Sequence, residues 1–183
     1  MGAGYWNLIA ESVGGDVETF LRQFASITSG YQQKYFKRRL ECLEKVRVVP
    51  MNRLFDGWTI DHLRRFGDFR KKECYSNALH TAELLEHIDE VSLMGKVVKK
   101  PEVKYVEGYL LTLGLPIDHA FNKIGDWYFD VTMDLLHDRV EEDCYWKIGE
   151  WSYREALKLM CETGYYGGVF DTLFRKSCDE DVE

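Results

Sequence analysis

Cys74, His119 and Asp130 are the residues whose types and settings could do chemistry together. Cys74 leads Cys74-Tyr75-Ser76-Asn77-Ala78, which reads as the start of a helix. His119 stands in Asp118-His119-Ala120-Phe121, at the start of a strand, and Asp130 in Tyr128-Phe129-Asp130-Val131-Thr132, on the strand after it. The chemistry is nucleophilic attack on a carbonyl. A thiol is a good nucleophile at neutral pH only as a thiolate, a form favoured by a helix N-terminus and by a neighbouring imidazolium. A carboxylate then orients the imidazole and stabilises its cation. The backbone N–H of Cys74 is the natural first donor to an oxyanion. Asn77, Tyr75, Gln32 and Gln33 are candidates for the second. Glu107 reads either as a site-lining group or as a core-edge carboxylate. Gly108 reads either as a point of substrate approach or as a bulge glycine.

The elements that must position these groups follow from periodicity. From Asp16 to about Arg47 the pattern is helical, with Val17, Phe20, Leu21 and Phe24 recurring and a break near Ser29-Gly30. A short helix is expected from Asp56 to about Arg65. A clear one runs from Cys74 to about Ile88, with Ala78, Ala82, Leu85 and Ile88 on the face of Cys74. Strands follow at Val103–Leu111, His119–Ile124 and Trp127–Thr132, the last two joined by a tight turn at Gly125-Asp126. After Asp134 the chain returns to helix, best marked at Trp151–Cys161, and Cys178–Glu183 reads as a frayed tail. This order is α+β: N-terminal helices, then a central Cys-bearing helix packed on a small antiparallel sheet.

The hairpin makes a geometric claim. A two-residue loop pairs Ile124 with Trp127, Phe121 with Asp130 and His119 with Thr132. His119 and Asp130 then share a face as diagonal neighbours, about 7–8 Å apart along the backbone. Asn122 falls on the opposite face, and the Cys74 helix must bring its N-terminus over His119.

Together these motifs resemble the transglutaminase-like and papain-like thiol enzymes. They are a Cys on a helix, the Gly-bearing strand Tyr105-Val106-Glu107-Gly108-Tyr109, His119-Ala120-Phe121 and Asp130-Val131-Thr132, in the order Cys, His, Asp. The resemblance spans roughly residues 70–135, with Phe121 where Trp is usual and Val131 where Pro is usual. It implies a papain-like or transglutaminase-like core, with Cys74 as nucleophile, His119 as base and acid, and Asp130 as orienting group. The implied activity is hydrolysis or acyl transfer on a peptide, protein or small acyl substrate.

The chain of 183 residues reads as one domain: a mainly helical part over 1–69, the catalytic core over 70–135 and a mainly helical part over 136–183. The formal charge of -7 argues against an electrostatic nucleic-acid binder. The basic runs Lys34–Arg39 and Arg70–Lys72 read as solvated faces, the second close enough to Cys74 to favour a thiolate. No apolar run reaches membrane-spanning length, no secretory signal is visible, and Trp6 argues against myristoylation of Gly2. Five cysteines without paired spacing indicate a reduced, cytoplasmic protein. Cys42, Cys144, Cys161 and Cys178 read as small buried hydrophobes, and His62, His80, His87 and His137 as structural or exposed. No Cys-x-x-Cys or His-x-x-x-His pair is present, so neither metal nor cofactor is expected. The alternative function class is a non-catalytic interaction or inhibitor protein on the same scaffold; aromatics such as Tyr145-Trp146 and Tyr165-Tyr166-Gly167-Gly168 suit a partner surface and equally an aromatic core.

Overall fold

Apolar residues four apart, Val17, Leu21 and Ala25, form the buried stripe of helix α1 (Val17–Ile27). Asp16 caps it by accepting from Thr19 N–H at 3.1 Å. A computed structural model describes residues 16–137, 142–163 and 168–180. Helix α2 (Gly30–Cys42) follows the break at Thr28-Ser29. The helical pattern expected to Arg47 stops at Cys42, because Glu44–Val46 form a strand, β1, against a partner a hundred residues along the chain. Next come α3 (Met51–Leu54) and α4 (Gly57–Phe66), the latter capped by Asp56 through Thr59 N–H at 2.9 Å. Helix α5 (Cys74–Glu86) buries Ala78, Leu79, Ala82 and Leu85. An unexpected hairpin, β2 (Glu90–Leu93) with β3 (Lys96–Lys99), precedes the main strands β4 (Val103–Thr112), β5 (Leu115–Ile124) and β6 (Trp127–Phe129). The rest is α6 (Val131–His137), β7 (Tyr145–Ser152), α7 (Tyr153–Thr163) and α8 (Val169–Glu180).

The architecture is mixed α+β, as expected, around an antiparallel sheet of order β1-β7-β4-β5-β6. The sheet curls until Val48, just past β1, bridges Tyr128 on β6. Val46, Val48, Val106, Leu110, Phe121, Tyr128 and Tyr145 fill its concave side. On the other face, Ala78 and Leu79 of α5 meet Tyr105 and Ala120, together with Ala156, Met160 and Val169. Small residues let α5 come close, so Asn122 on β5 donates directly to the Ala78 carbonyl at 2.8 Å. Among the described residues no helix is long and apolar enough to cross a membrane.

Three expectations change. First, β7 lies inside the sheet between β1 and β4, although the stretch after Asp134 reads as helical. The core therefore needs β1 and β7 from outside residues 70–135. Second, β5 begins at Leu115, so His119 sits mid-strand. Leu113 and Gly114, with φ of +52° and +75°, make the two-residue turn that starts it. Third, α8 runs on to Glu180 and includes Cys178. Of the two readings of Tyr145 and Trp146, the core one holds: they are 0% and 8% exposed. Tyr165–Gly167, Gly2 and Trp6 lie outside the described residues.

Candidate active site

The turn at Gly125-Asp126 pairs Ile124 with Trp127, Lys123 with Tyr128 and Asn122 with Phe129, in the expected register. The ladder then stops. Asp130 and Thr132 are not on a strand: Val131 begins α6, and Asp130 heads it, with Oδ1 accepting Met133 N–H at 3.1 Å and its carbonyl accepting Asp134 N–H at 3.0 Å. An aspartate three residues before a free N–H is a helix cap, and here capping wins over continued pairing. The early end of β6 leaves β5 around His119 without a neighbouring strand on that side. The start of α5 comes to this gap.

The expected pairs Phe121–Asp130 and His119–Thr132 do not form, yet His119 and Asp130 meet, with Asp130 reaching the imidazole from the helix cap. His119 Nε2 and Asp130 Oδ2 lie 2.6 Å apart, with His119 3% and Asp130 0% exposed. Cys74, the first residue of α5 and partly buried, is within side-chain hydrogen-bonding reach of the same imidazole. With Nε2 engaged by Asp130, Nδ1 is the nitrogen left for the thiol. Burial on its own would lower the imidazole pKa. The charge and hydrogen bond of Asp130, together with Cys74, outweigh burial and raise it to about 10. A cationic imidazole beside a sulfur is the arrangement that favours thiolate.

The start of α5 is held by its own side chains rather than by a cap at Glu73, which makes no side-chain cap bond. Asn77 does this work. Its Oδ1 accepts Arg70 N–H at 3.0 Å, and its Nδ2 donates to the Arg70 carbonyl at 2.8 Å and to Thr132 Oγ1 at 3.1 Å. The intervening turn includes Lys72 in the left-handed region, φ +68°, a strained conformation two residues before the thiol. The first N–H groups of α5 have no intrahelical acceptor and are the oxyanion donors that this geometry offers.

The weaker candidates separate. Asn77 is committed to the loop and to α6, so it is not a free oxyanion donor. Gln33 donates to the Ala25 carbonyl at 3.0 Å, and Gln32 lines a groove of about 420 Å³ with Phe24, Tyr31 and Tyr35, so both belong to the α1–α2 packing. Tyr75, beside Cys74, keeps its hydroxyl protonated: burial, then the charges of Asp118 and Glu107, raise its pKa. Glu107 is 2% exposed and spans from β4 to the start of α8, accepting Tyr105 O–H at 2.7 Å and the N–H groups of Val169 and Phe170 at 2.7 and 3.0 Å. It is a cap supplied from a distant strand. Gly108 pairs with His119 on one side and sits at a bulge against β7 on the other, where an added Cβ would lie 1.8 Å from the Trp146 carbonyl oxygen. The bulge reading of Gly108 is the one with geometry behind it.

Two further readings change. Arg39, expected on a solvated face, is 6% exposed; it bonds Asp118 and Tyr109, and Asp171 at 3.1 Å. Two acids and a phenol meet the cost of burying its charge. Arg70, Lys71 and Lys72 are exposed, as expected of a solvated face, and Arg70 pairs with Asp68 at 2.6 Å. None of the other cysteines is fully buried, and Cys161 is exposed. Among the described residues no group of three His, Cys, Asp or Glu converges as a metal site.

Sequence reasoning missed Tyr145. It lies on β7 and donates its hydroxyl to Asp130 Oδ2 at 2.9 Å, the same oxygen that holds His119. The signal was the alternation in Tyr145-Trp146-Lys147-Ile148, with Trp146 and Ile148 packed on one face and Tyr145 on the other.

No protein-family model, curated protein or solved structure matches this chain.

Proposed function

We propose that this chain is a cysteine-dependent hydrolase or acyltransferase, related to the papain-like and transglutaminase-like enzymes. The observation that carries the reading is the line Cys74–His119–Asp130, with the imidazole bonded to a fully buried carboxylate at 2.6 Å and in reach of a thiol at a helix N-terminus. The Cys74 thiolate attacks an amide, ester or thioester carbonyl, and the carbonyl π electrons move onto oxygen, facing the first N–H groups of α5. The tetrahedral intermediate collapses as the bond to the leaving group breaks, and the His119 imidazolium protonates that group. A Cys74 thioester and a neutral imidazole remain. His119 then takes a proton from water or an amine, which attacks the thioester and restores the thiolate–imidazolium pair. Asp130 keeps the ring oriented throughout. Five free thiols suit a reducing compartment, and we place the protein in the cytoplasm on that ground.

Limited iodoacetamide treatment at pH 6–7, read by mass spectrometry, tests this. Exposure alone ranks Cys161 first, since it is the exposed thiol. The proposed chemistry ranks Cys74 first, in spite of its partial burial. Labelling that follows exposure overturns the proposal.

A further inference from the structure

We infer that Tyr145 is a positioning residue for His119, acting through Asp130. This rests on the functional reading above. Asp130 Oδ2 receives two groups, His119 Nε2 at 2.6 Å and Tyr145 O–H at 2.9 Å, while Met133 N–H holds Oδ1 at 3.1 Å. With His119 the carboxylate thus has three partners, and only the imidazole can give up its charge within the working range. The Tyr145 ring also meets the Phe121 ring edge-on at 5.4 Å and the His119 ring at 6.1 Å. The imidazole therefore has Tyr145 at its side and its anchor oxygen shared with that residue's hydroxyl. Tyr145 is itself 0% exposed; burial, then the charge and hydrogen bond of Asp130, raise its pKa, so it stays a donor at every pH of interest. Among the described residues, Cys74 on α5, Cys144 beside Tyr145 and Asp134 on α6 are further titratable groups nearby.

The consequence has a sign. A hydrogen bond to Oδ2 disperses the negative charge of Asp130, and does so most when His119 is neutral and the carboxylate has no cation beside it. Tyr145 therefore eases the loss of the imidazolium proton and keeps His119 able to cycle between acid and base. Removing the hydroxyl leaves the carboxylate holding the imidazolium more tightly. The difference that this bond makes between the two states of His119 amounts to about half to one pH unit.

The experiment is the rate of Cys74 alkylation by iodoacetate against pH, measured residue by residue in intact protein. An anionic reagent reads the thiolate–imidazolium pair, so its rate falls when His119 deprotonates. In the native protein that alkaline limb is expected near pH 10. Tyr145→Phe keeps the packed ring, and is expected to move the limb upward by about half to one pH unit while the rate at pH 7 changes less than about twofold. A purely structural role for Tyr145 lowers the melting temperature and leaves the limb in place, and that result overturns the inference alone. Absence of any alkaline limb in the native protein overturns the functional reading and the inference with it. Should Tyr145→Phe fail to fold, 3-fluorotyrosine placed at position 145 supplies a stronger donor. The limb must then move downward, and a limb that stays or rises overturns the inference.

Discussion

Asn77 donates to Thr132 Oγ1 at 3.1 Å, and that bond ties the helix carrying Cys74 to the helix headed by Asp130. Two members of the proposed triad are thus registered against each other by a pair of residues that do no chemistry. The same Asn77 amide holds the turn at Arg70 through both its oxygen and its nitrogen. One buried side chain thus joins the turn before the thiol to the helix headed by Asp130.

Asn77→Ala leaves the Arg70 N–H and the Thr132 hydroxyl without their partner. A loss of about 1–3 kcal/mol of stability is expected. Under conditions where the variant remains folded, Cys74 labelling should fall toward that of an ordinary thiol. Chemical denaturation and labelling on one sample read both effects, and unchanged Cys74 reactivity would remove Asn77 from the account.

Cys74→Ala and His119→Ala should each abolish turnover, with the double variant little worse than either, because such groups act as a unit. Asp130→Asn keeps an acceptor for Met133 N–H but favours the wrong imidazole tautomer, so it should lower turnover with little effect on substrate binding. Asp130→Ala loses the helix cap as well, adding about 1 kcal/mol of instability. A screen of peptide, ester and thioester substrates supplies the activity, and survival of more than a few per cent of it in Cys74→Ala or His119→Ala rejects the chemistry.

Stability should fall on the alkaline side. The His119 imidazole is raised from 6.5 to about 10, so between these values the folded protein holds a proton that the unfolded chain has released. The stabilisation is complete below pH 6.5 and is lost as pH rises through about 10. Melting temperatures from pH 6 to 10 should decline more steeply for the native protein than for His119→Gln. Parallel curves would mean that His119 does not hold its proton in this way.

Glu107→Gln separates structure from catalysis. The carboxylate accepts from three donors, Tyr105 O–H and the N–H groups of Val169 and Phe170, and an amide must turn a donor of its own toward one of them. The expected loss is about 1–3 kcal/mol, read as early hydrogen exchange at the start of α8. Cys74 labelling should persist in the folded variant. Loss of labelling without loss of protection in α8 would return Glu107 to the active site.

The sequence alone determined whatever depends on neighbours along the chain. Apolar spacing marked α1, α4 and α5, and Asp56 marked where α4 begins. Gly125-Asp126 set the pairing of Ile124 with Trp127 and carried the register as far as Asn122 with Phe129. Tertiary structure decided what rests on contacts between distant segments. Tyr145-Trp146 looks as much like helix as strand until β4 and β1 lie on either side of it. Asp130 could extend a strand or cap a helix, and the choice went to the cap as α6 packed against α5 through Thr132 and Asn77. Glu107 reads as a site-lining or a core-edge carboxylate until α8 docks its free N–H groups onto it. Local propensity is written residue by residue, whereas a buried polar group takes its role from partners that only the folded chain brings within hydrogen-bonding distance.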